Sequence, residues 1–250
     1  MSCPNFDCPF HELFLPNSCA RDNDLQCLIT DAVKQVSFDS EEVLFNKGQS
    51  SSSIYALEKG VVKICSTTSE GREQIVGITS PGNLLVGLQS ISDRHYHYSA
   101  VAATPVNACK IAHRALLKKV SSDTELSMRL ITALNAQLGH SRELMRAMSQ
   151  KNASAKIASF ILLMAPQRKH ESVRFTLPLS RMEIANLIGL SEETVCRQMA
   201  RMKRDDIIYA PRGRIEVRDW PRLKAVAEGA ALNGKVVGPR GLEPRTKRLR

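Results

Sequence analysis

The sequence feature that most constrains the fold is the stretch 180–203, SRMEIANLIGLSEETVCRQMARMK, whose pattern predicts two short helices joined by a tight turn. Ser180 and Glu183 have the spacing of a capping box, in which the two residues satisfy each other's backbone N–H groups at a helix start. Gly189 permits the left-handed backbone that ends the first helix, and Ser191 can cap the second. The stretch therefore predicts a helix-turn-helix.

The second helix of this motif leaves a polar face for a partner. Its apolar positions have helical spacing and predict the buried side: Val195, Met199 and Met202. Glu193, Cys196 and Arg197 project together on another side, near the end of the helix that enters a major groove. An arginine can donate two hydrogen bonds to guanine, and a carboxylate can accept one from the amino group of cytosine. The face suits base recognition, with an ordinary solvated helical hairpin as the alternative.

The segment LSEETVCRQMARMKRDDII resembles the DNA-binding helix of the cyclic AMP receptor protein/FNR superfamily. The FNR branch of that superfamily carries the motif E-x-x-S-R, and this chain has Glu193-Thr-Val-Cys196-Arg197, with cysteine in place of serine. The resemblance implies a DNA-binding transcription regulator. We expect Ser191, at the helix start, to join Glu193, Cys196 and Arg197 in the DNA interface. No constellation of residues in the sequence predicts catalysis, so an enzyme is not expected.

The charge of the chain is positive and uneven. The 250 residues have a formal net charge of +10, and their apolar fraction of 43% favours a folded protein over a disordered one. Residues 1–50 contain three Lys/Arg against eight Asp/Glu, whereas residues 232–250 contain six against one. The basic excess near the carboxy terminus favours contacts with phosphate, although a basic surface would also suit a membrane surface.

Neither a membrane span nor an export signal is predicted. The longest apolar run, Ile157–Ala165, ends at Pro166 and is shorter than the roughly 20 residues that span a bilayer. The start, MSCPNFDCPF, has no basic region followed by an apolar one. We therefore expect a cytoplasmic protein, in which cysteines serve metal binding or redox chemistry more often than disulfides.

Four of the seven cysteines lie within the first 27 residues: Cys3, Cys8, Cys19 and Cys27. Cysteine thiolates hold iron–sulfur clusters and zinc, and both need about four ligands. The spacing of these cysteines matches no zinc knuckle or zinc ribbon. The segment therefore predicts a cluster or metal site, with buried or free thiols as the alternative.

The segment DCPFHELFLPNSCARDNDLQCL resembles the cysteine-bearing segment of FNR-type oxygen sensors, and VNACKIAHRALL resembles the segment in which those proteins carry a fourth ligand. The resemblance implies a four-iron four-sulfur (4Fe-4S) cluster held by four cysteines: Cys3, Cys8, Cys19 and Cys109. Cys27 is an alternative to Cys3, although the surrounding sequence predicts an amphipathic helix in which Cys27 packs. Cys65 is expected to be structural.

Residues 38–111 predict short strands separated by turns at four glycines: Gly48, Gly60, Gly71 and Gly82. This pattern is typical of an antiparallel β-roll. In the superfamily that the chain resembles, such a roll is the sensor domain.

A cyclic nucleotide is the alternative ligand of such a roll. It would need an arginine for its phosphate, but the expected place holds His97-Tyr98-Ser99-Ala100, near the turn Gly82-Asn83-Leu84. Arg94 lies close by in sequence and could replace that arginine. No cyclic nucleotide is expected, and a nucleotide-binding module remains the alternative.

Residues 123–152 predict one long helix with an apolar stripe. The stripe repeats every three or four residues, as in a two-helix seam: Ile131, Leu134, Leu138, Met145 and Met148. The segment MSQKNASAKIASFI resembles the FNR link between dimerisation helix and DNA-binding domain, which favours a homodimer over packing on the helix's own domain. Gly139, His140 and Glu143 interrupt the seam. We hypothesise that this weakness lets the sensor govern dimerisation.

The carboxy-terminal part predicts a helix at Ala153–Ala165, a strand at Val173–Leu177 and, after the helix-turn-helix, a hairpin around Pro211-Arg212-Gly213. The hairpin would make a wing, with Arg212 and Arg214 near phosphate. Residues 232–250 lack a burial pattern and are expected to be a disordered basic tail.

Together these patterns predict an α+β fold with an N-terminal antiparallel β-roll, a long dimerisation helix and a C-terminal winged helix-turn-helix. The expected parts are a cysteine-rich segment (1–29), a sensor domain (30–122), a dimerisation helix (123–152), a DNA-binding domain (153–231) and a tail (232–250). The resemblance implies a homodimer that binds double-stranded DNA at a palindrome resembling TTGAT-n4-ATCAA under low oxygen and recruits RNA polymerase. The alternative is an FNR/FixK-like regulator without a cluster, controlled by oxidation of Cys196 or by another small effector.

Overall fold

The computed structural model describes residues 33–68, 71, 73–81, 86–88, 93, 95–165, 174–211 and 214–232. Along these residues, seven strands come first, then two helices, then a smaller unit of helices and short strands. None of the helices in these ranges combines the length and the apolar character needed to cross a lipid bilayer.

The seven amino-terminal strands form two antiparallel sheets. They are β1 (Val33–Phe38), β2 (Val43–Phe45), β3 (Ser53–Lys59), β4 (Val62–Thr67), β5 (Glu73–Thr79), β6 (Ser99–Ala102) and β7 (Val106–Ala112). One sheet has the order β1-β7-β3, and the other has the order β2-β6-β4-β5. The sheets form the predicted β-roll, which begins earlier than the expected strand pattern because β1 starts at Val33.

The space between the two sheets is filled by aromatic and aliphatic side chains. The rings of Phe45 and Tyr96 stack with their centroids 3.8 Å apart, and the Tyr55 ring lies 6.0 Å from that of Phe45. The Tyr96 hydroxyl donates a hydrogen bond to the backbone oxygen of Ser53 at 2.6 Å, so the polar end of this buried ring is satisfied. The interior of the roll is a packed core.

One turn of the roll admits only glycine. Gly60, between β3 and β4, has a φ of +89°, and a Cβ there would lie 2.3 Å from the backbone oxygen of Pro105. Because backbone cannot give way as a flexible side chain can, both conformation and space exclude any larger residue.

Two helices follow the roll: α1 (His113–Ser122) and α2 (Thr124–Ser149). The Asp123 carboxylate accepts a hydrogen bond from the Leu126 backbone N–H at 3.0 Å and so caps α2, which is the predicted long helix. The separate helix α1 was not predicted. It starts without a side-chain cap and buries only two of its side chains, so its sequence signal is weak.

The carboxy-terminal unit consists of α3 (Ala153–Met164), β8 (Arg174–Thr176), α4 (Arg181–Ile188), α5 (Glu192–Arg204), β9 (Ile208–Tyr209), β10 (Arg214–Val217) and α6 (Trp220–Ala227). The three strands form an antiparallel sheet in the order β8-β10-β9, and β9 with β10 makes the predicted hairpin.

The carboxy-terminal end of this unit differs from the prediction in two ways. Helix α6 was missed, although Asp219 caps it and Pro221 lies in its first turn, both of which are start signals. Leu232, assigned to the tail, is buried, and its backbone oxygen accepts a hydrogen bond from Arg222 at 3.1 Å. The folded unit therefore includes Leu232, while residues 233–250 lie outside the described ranges.

The roll and the carboxy-terminal unit share one hydrophobic cluster. Cys65, Ile75 and Ile78, on β4 and β5, belong to the same cluster as Ile184 of α4. Helix α4 lies directly against β5. The two units are therefore packed together, and the predicted fold class of roll, long helix and winged helix-turn-helix is confirmed.

Candidate nucleic-acid interface

The helix-turn-helix consists of α4, α5 and the turn between them, and its ends are fixed by local hydrogen bonds. The Ser180 Oγ accepts a hydrogen bond from the Glu183 backbone N–H at 3.2 Å, and Glu183 Oε2 accepts one from the Ser180 N–H at 2.8 Å. Gly189 ends α4 with a φ of 66°, in the left-handed region. Lys156 of α3 donates a hydrogen bond to the backbone oxygen of Ile188 at 2.9 Å, which the sequence did not predict. This bond ties the turn to the helix beneath it.

Helix α5 is held by its cap and by its inner side. The Ser191 Oγ accepts a hydrogen bond from the Thr194 backbone N–H at 3.2 Å. The side chains predicted to face inward are buried: Val195, Met199 and Met202. Ser191 thus starts the helix, and its expected contact with DNA stays a prediction.

The recognition face, formed by Glu193, Cys196 and Arg197, is exposed to solvent. The side chain of Glu193 is 84% exposed and that of Arg197 is 63% exposed. Arg197 Nη1 lies 3.5 Å from Glu193 Oε1, a distance at which an exposed ion pair contributes at most about 1 kcal/mol. Both side chains can therefore leave each other for a base edge at little cost.

Arg181, the first residue of α4, lies near the recognition face and was not singled out from the sequence. Burial lowers the pKa of its guanidinium, and attraction to the sulfur of Cys196 opposes that shift. The Arg181 guanidinium is therefore close enough to Cys196, an exposed free thiol on the neighbouring helix, for electrostatic attraction. Only the packing of α4 against α5 brings the two together, so sequence spacing carried no signal for it.

The wing contributes one described arginine. Arg214 is exposed at the start of β10, and its backbone N–H donates to the oxygen of Pro211 at 3.0 Å to close the hairpin. Arg212 lies outside the described residues. Contact of either side chain with phosphate stays a prediction.

Cys109 lies in β7 on the sheet surface that faces the helices, not in the interior of the roll. It is buried in a cluster with Leu116 of α1 and Leu130 of α2. Its Sγ donates a hydrogen bond to Glu58 Oε1 at 3.1 Å. Its thiol chemistry fits a cluster ligand, and that role stays a prediction.

The remaining expected ligands cannot be placed beside Cys109. Cys3, Cys8, Cys19 and the alternative Cys27 lie outside the described residues. Within the described ranges, no three His, Cys, Asp or Glu side chains are grouped closely enough to hold a metal ion. The described residues thus offer one thiol of the four that a 4Fe-4S cluster needs.

Cys65 has the properties of a packing residue, as expected. It is buried in the cluster shared by the two units. Burial and a hydrogen bond with Glu73 raise the pKa of its thiol to about 12. The thiol therefore stays protonated at neutral pH and is a poor nucleophile or metal ligand.

Helix α2 has two apolar sides. Its inward side is buried by the chain's own residues: Leu126, Leu130, Leu144 and Ala147. Its other side is the apolar stripe, which is exposed along its whole length: Ile131, Leu134, Leu138, Met145 and Met148. Ile131 is 50% exposed and Met145 is 58% exposed, although both are apolar. An exposed stripe of this kind is typical of a surface that pairs with another chain.

Glu143 lies apart from this stripe. It precedes Met145 by two residues, which turns it about 200° around the helix. Its carboxylate accepts a hydrogen bond from Arg146 Nε at 2.9 Å on the same helix. Glu143 is therefore not part of the stripe, although it falls between stripe residues in the sequence.

Comparisons with known proteins agree with both units. A family model described as a cyclic nucleotide-binding domain matches residues 35–123, which cover the roll and α1. A second, described as a Crp-like helix-turn-helix domain, matches residues 155–226.

Relatives match the chain over most of its length. The transcriptional activator protein FnrA of Stutzerimonas stutzeri is 29% identical over 90% of this chain and 92% of its own. The nitrogen fixation regulation protein FixK of Bradyrhizobium diazoefficiens is 31% identical over 78% of this chain and 82% of its own. The structure of FixK2 from Bradyrhizobium japonicum is similar to this chain, with a TM-score of 0.70 and 24% identity. The match covers 80% of this chain and 99% of the FixK2 chain, and it supports the fold. The chain belongs to the Crp/FNR family of DNA-binding transcription regulators.

Proposed function

We propose that this protein is a homodimeric regulator that binds a palindrome resembling TTGAT-n4-ATCAA. The observation that carries the proposal is the exposed recognition face on a helix that is capped at its start and packed on its inner side. Glu193 and Arg197 offer an acceptor for cytosine and two donors for guanine. A regulator of this kind would act on RNA polymerase at the promoters that it binds.

The apolar stripe on α2 supports the homodimer. Two copies that pair along the stripe would bury apolar side chains that one copy leaves in water. A two-fold axis would then relate their α5 helices, and helices about 34 Å apart meet half-sites one helical turn apart. The palindrome thus follows from the symmetry of the pair.

Binding of labelled DNA tests this proposal. Fluorescence anisotropy should show tight binding to the palindrome and, at the same salt concentration, binding about a thousandfold weaker to a scrambled sequence of equal length. Equal affinity for the two sequences would refute sequence-specific recognition.

We further propose that oxygen controls the dimer through a 4Fe-4S cluster held by Cys3, Cys8, Cys19 and Cys109. Such a cluster supplies iron–sulfur chemistry that oxygen can convert or destroy. The position of Cys109 against Leu130 supports this proposal, because a change of packing there would reach the first turns of the dimerisation helix. The relatives include both FnrA and FixK proteins, so the family alone does not select the signal.

Two buried cysteines of the roll provide a matched test. Cys109→Ser should lose most of the iron and sulfide that the wild-type protein holds after oxygen-free purification, together with its visible absorbance. Cys65→Ser, which alters a buried thiol assigned to packing, should keep all three. Equal iron in the two variants would remove Cys109 from the ligand set.

A second candidate signal is oxidation of Cys196 in a protein without a cluster. Its thiol is exposed on the recognition face and lies near the Arg181 guanidinium of the neighbouring helix. Peroxide would oxidise the thiol to a sulfenic acid and be reduced to water, and the added oxygen would stand between the helix and the DNA. Peroxide should then weaken DNA binding of cluster-free protein, and Cys196→Ser should be insensitive. Equal sensitivity of the two proteins would exclude this switch.

A cyclic nucleotide is disfavoured as the effector by the sequence around the expected phosphate site. Where an arginine would bind the phosphate, the chain has His97-Tyr98-Ser99-Ala100, and the turn Gly82-Asn83-Leu84 and Arg94 lie outside the described residues. Addition of cyclic AMP or cyclic GMP should therefore leave the melting temperature unchanged. A clear rise would restore the nucleotide as a candidate.

A further inference from the structure

A buried lysine joins the roll to the DNA-binding unit. Lys63 lies on β4, and its side chain is only 7% exposed. Its Nζ donates hydrogen bonds to both carboxylate oxygens of Glu41, at 2.9 and 2.8 Å, and to Oε1 of Glu183 at 2.7 Å. Glu41 belongs to the roll, whereas Glu183 belongs to α4 of the helix-turn-helix. The ammonium thus connects the two units.

The Glu183 carboxylate has two different roles, one for each oxygen. Oε2 accepts from the Ser180 backbone N–H at 2.8 Å and completes the capping box that starts α4. Oε1 accepts from Lys63. The same side chain that fixes the start of the first DNA-binding helix is therefore fixed to the sensor sheet.

The buried ammonium of Lys63 needs both carboxylates, which fixes the contact between the two units. A buried ammonium is costly unless it is paired, and here two carboxylates pair with it. Glu41 reaches the ammonium from a backbone with a φ of 68°, a left-handed conformation that a residue with a side chain rarely adopts. Rotation of the carboxy-terminal unit away from β4 would leave the lysine with Glu41 alone.

The contact does not cover the recognition face. Glu193 and Arg197 remain largely exposed while Lys63 is bound to Glu183. The contact lies at the start of α4, and α4 also packs against β5. It therefore fixes where the helix-turn-helix lies on the roll and leaves its access to DNA open.

We propose that Lys63 is a positioning residue for DNA recognition, which sets the orientation of α4 and α5 relative to the roll through Glu183. This proposal rests on the palindrome-binding homodimer proposed above. A half-site needs only one α5 helix. A palindrome needs two α5 helices at a fixed separation and rotation, so loss of the contact should affect the palindrome and spare the half-site.

Four variants of the full-length chain isolate the contact. Lys63→Met removes the ammonium, and Glu183→Gln removes the second charge while glutamine can still form a capping box. Glu41→Gln is the matched control, because it removes a carboxylate from the same lysine but leaves the bond to α4. Lys63→Arg keeps the charge and tests rescue by a conservative change.

Fluorescence anisotropy on three DNAs supplies the readout: the palindrome, a palindrome whose spacer is one base pair longer, and a single half-site. For Lys63→Met and Glu183→Gln, the affinity for the palindrome should fall about tenfold relative to wild type. Their discrimination against the longer spacer should shrink, and their half-site affinity should be unchanged. Glu41→Gln and Lys63→Arg should resemble wild type.

Two outcomes would contradict the positioning role of Lys63, and a third would contradict the proposed function. Wild-type spacer discrimination in both Lys63→Met and Glu183→Gln would refute the positioning role. An equal loss on half-site and palindrome would show that the contact only maintains the fold of the unit. A wild-type protein that binds the palindrome no better than the half-site would instead refute the proposed function itself.

Discussion

Arg197 and Glu193 lie within ion-pair distance on the outer side of α5, so in our proposal DNA competes with this contact for both side chains. The pair is weak because both groups are exposed, and it orients the arginine along the helix surface. A base can therefore select these side chains only if its hydrogen bonds to them are stronger than the ion pair between Arg197 and Glu193.

Arg197→Ala should lower the affinity for the palindrome by about 1–3 kcal/mol per half-site and relax the preference at one guanine, because two donors to the base are lost. Arg174→Ala is the control, since Arg174 is exposed in the same unit but pairs with Glu216 of β10. Competition binding with each base substituted in turn measures both effects. A uniform loss on all sequences would assign Arg197 to phosphate.

The pKa values of Glu183 and Lys63 define the pH range in which the contact between the units stabilises the fold. Burial acts to raise the pKa of Glu183, but hydrogen bonds from Lys63 and Ser180 outweigh it and hold the pKa below its ordinary 4.5. Burial acts to lower the pKa of Lys63, but hydrogen bonds to Glu183 and Glu41 outweigh it and raise the pKa above 10.5. The lowered carboxyl stabilises the fold above pH 4.5 and loses that contribution as pH falls through its folded pKa. The raised lysine contributes below pH 10.5 and loses this as pH rises through its folded pKa.

Urea unfolding of wild type and Lys63→Met checks this range. The difference in free energy of unfolding should be about 2 kcal/mol between about pH 6 and 9, less than for a fully buried pair because Glu41 is largely exposed. The difference should shrink as pH falls below 4.5, because Glu183 becomes protonated. A difference that persists unchanged at about pH 3 would show that another interaction of Lys63 supports the fold.

Residues close in sequence were predicted well, and residues brought together by packing were not. The capping box of Ser180 and Glu183 spans three positions, so its spacing carries the signal. Lys63 and Glu183 are 120 positions apart, and nothing local marks a lysine in a strand as the partner of a distant glutamate. The same holds for the bond between Cys109 and Glu58, 51 positions apart, which depends on the pairing of β3 with β7.

At the scale of elements, helix α2 contacts both the roll and the carboxy-terminal unit. Its inward residues near the start pack under the roll, and Leu144, near its end, belongs to the cluster of the carboxy-terminal unit. The apolar stripe lies beside these buried positions on the helix and remains exposed. The helix thus connects the roll, the DNA-binding unit and, in our proposal, a second copy.

A charge in the stripe should separate the dimer. Leu138→Glu places a carboxylate in the middle of the exposed stripe, where two copies would bury two like charges. Leu117→Glu is the control, because Leu117 is an exposed leucine of α1 outside the stripe. Sedimentation velocity should show a monomer for Leu138→Glu and a dimer for Leu117→Glu, with the circular dichroism of both like wild type. A dimeric Leu138→Glu would place the pairing surface elsewhere.

End signals in the sequence helped to place α4 and α5, whereas α1 lacks them and was missed; α6 was missed although it has a cap and an early proline. Helices α4 and α5 have caps, a turn glycine and helical apolar spacing, so their bounds agree with the prediction to within a residue. Helix α1 has no side-chain cap and follows β7 without a break, so the sequence did not separate it from the roll. Tertiary contacts, not local signals, define that helix.

For the whole molecule, the shared cluster means that the roll and the DNA-binding unit are packed against each other. Cys109, on one sheet, packs in a cluster with α2, whereas β4 and β5 of the other sheet pack against α4. In our proposals, a change in the roll has two routes to DNA recognition: pairing of two copies through α2 and orientation of α4 through Lys63.

Oxygen should act on pairing if the cluster proposal holds. Oxygen-free wild-type protein should sediment as a dimer and become largely monomeric in air, whereas Cys109→Ser should sediment alike under both conditions. A wild-type dimer fraction unaffected by oxygen would leave the DNA-binding account intact and refute this mode of sensing.

The most direct test of the central claim is the stoichiometry of the DNA complex. We expect analytical ultracentrifugation of labelled palindrome with excess oxygen-free protein to give a complex of two chains per duplex, and Leu138→Glu to form it far more weakly. A complex of one chain per palindrome, with wild-type affinity in Leu138→Glu, would contradict the claim that two paired copies place their α5 helices in adjacent turns of the major groove.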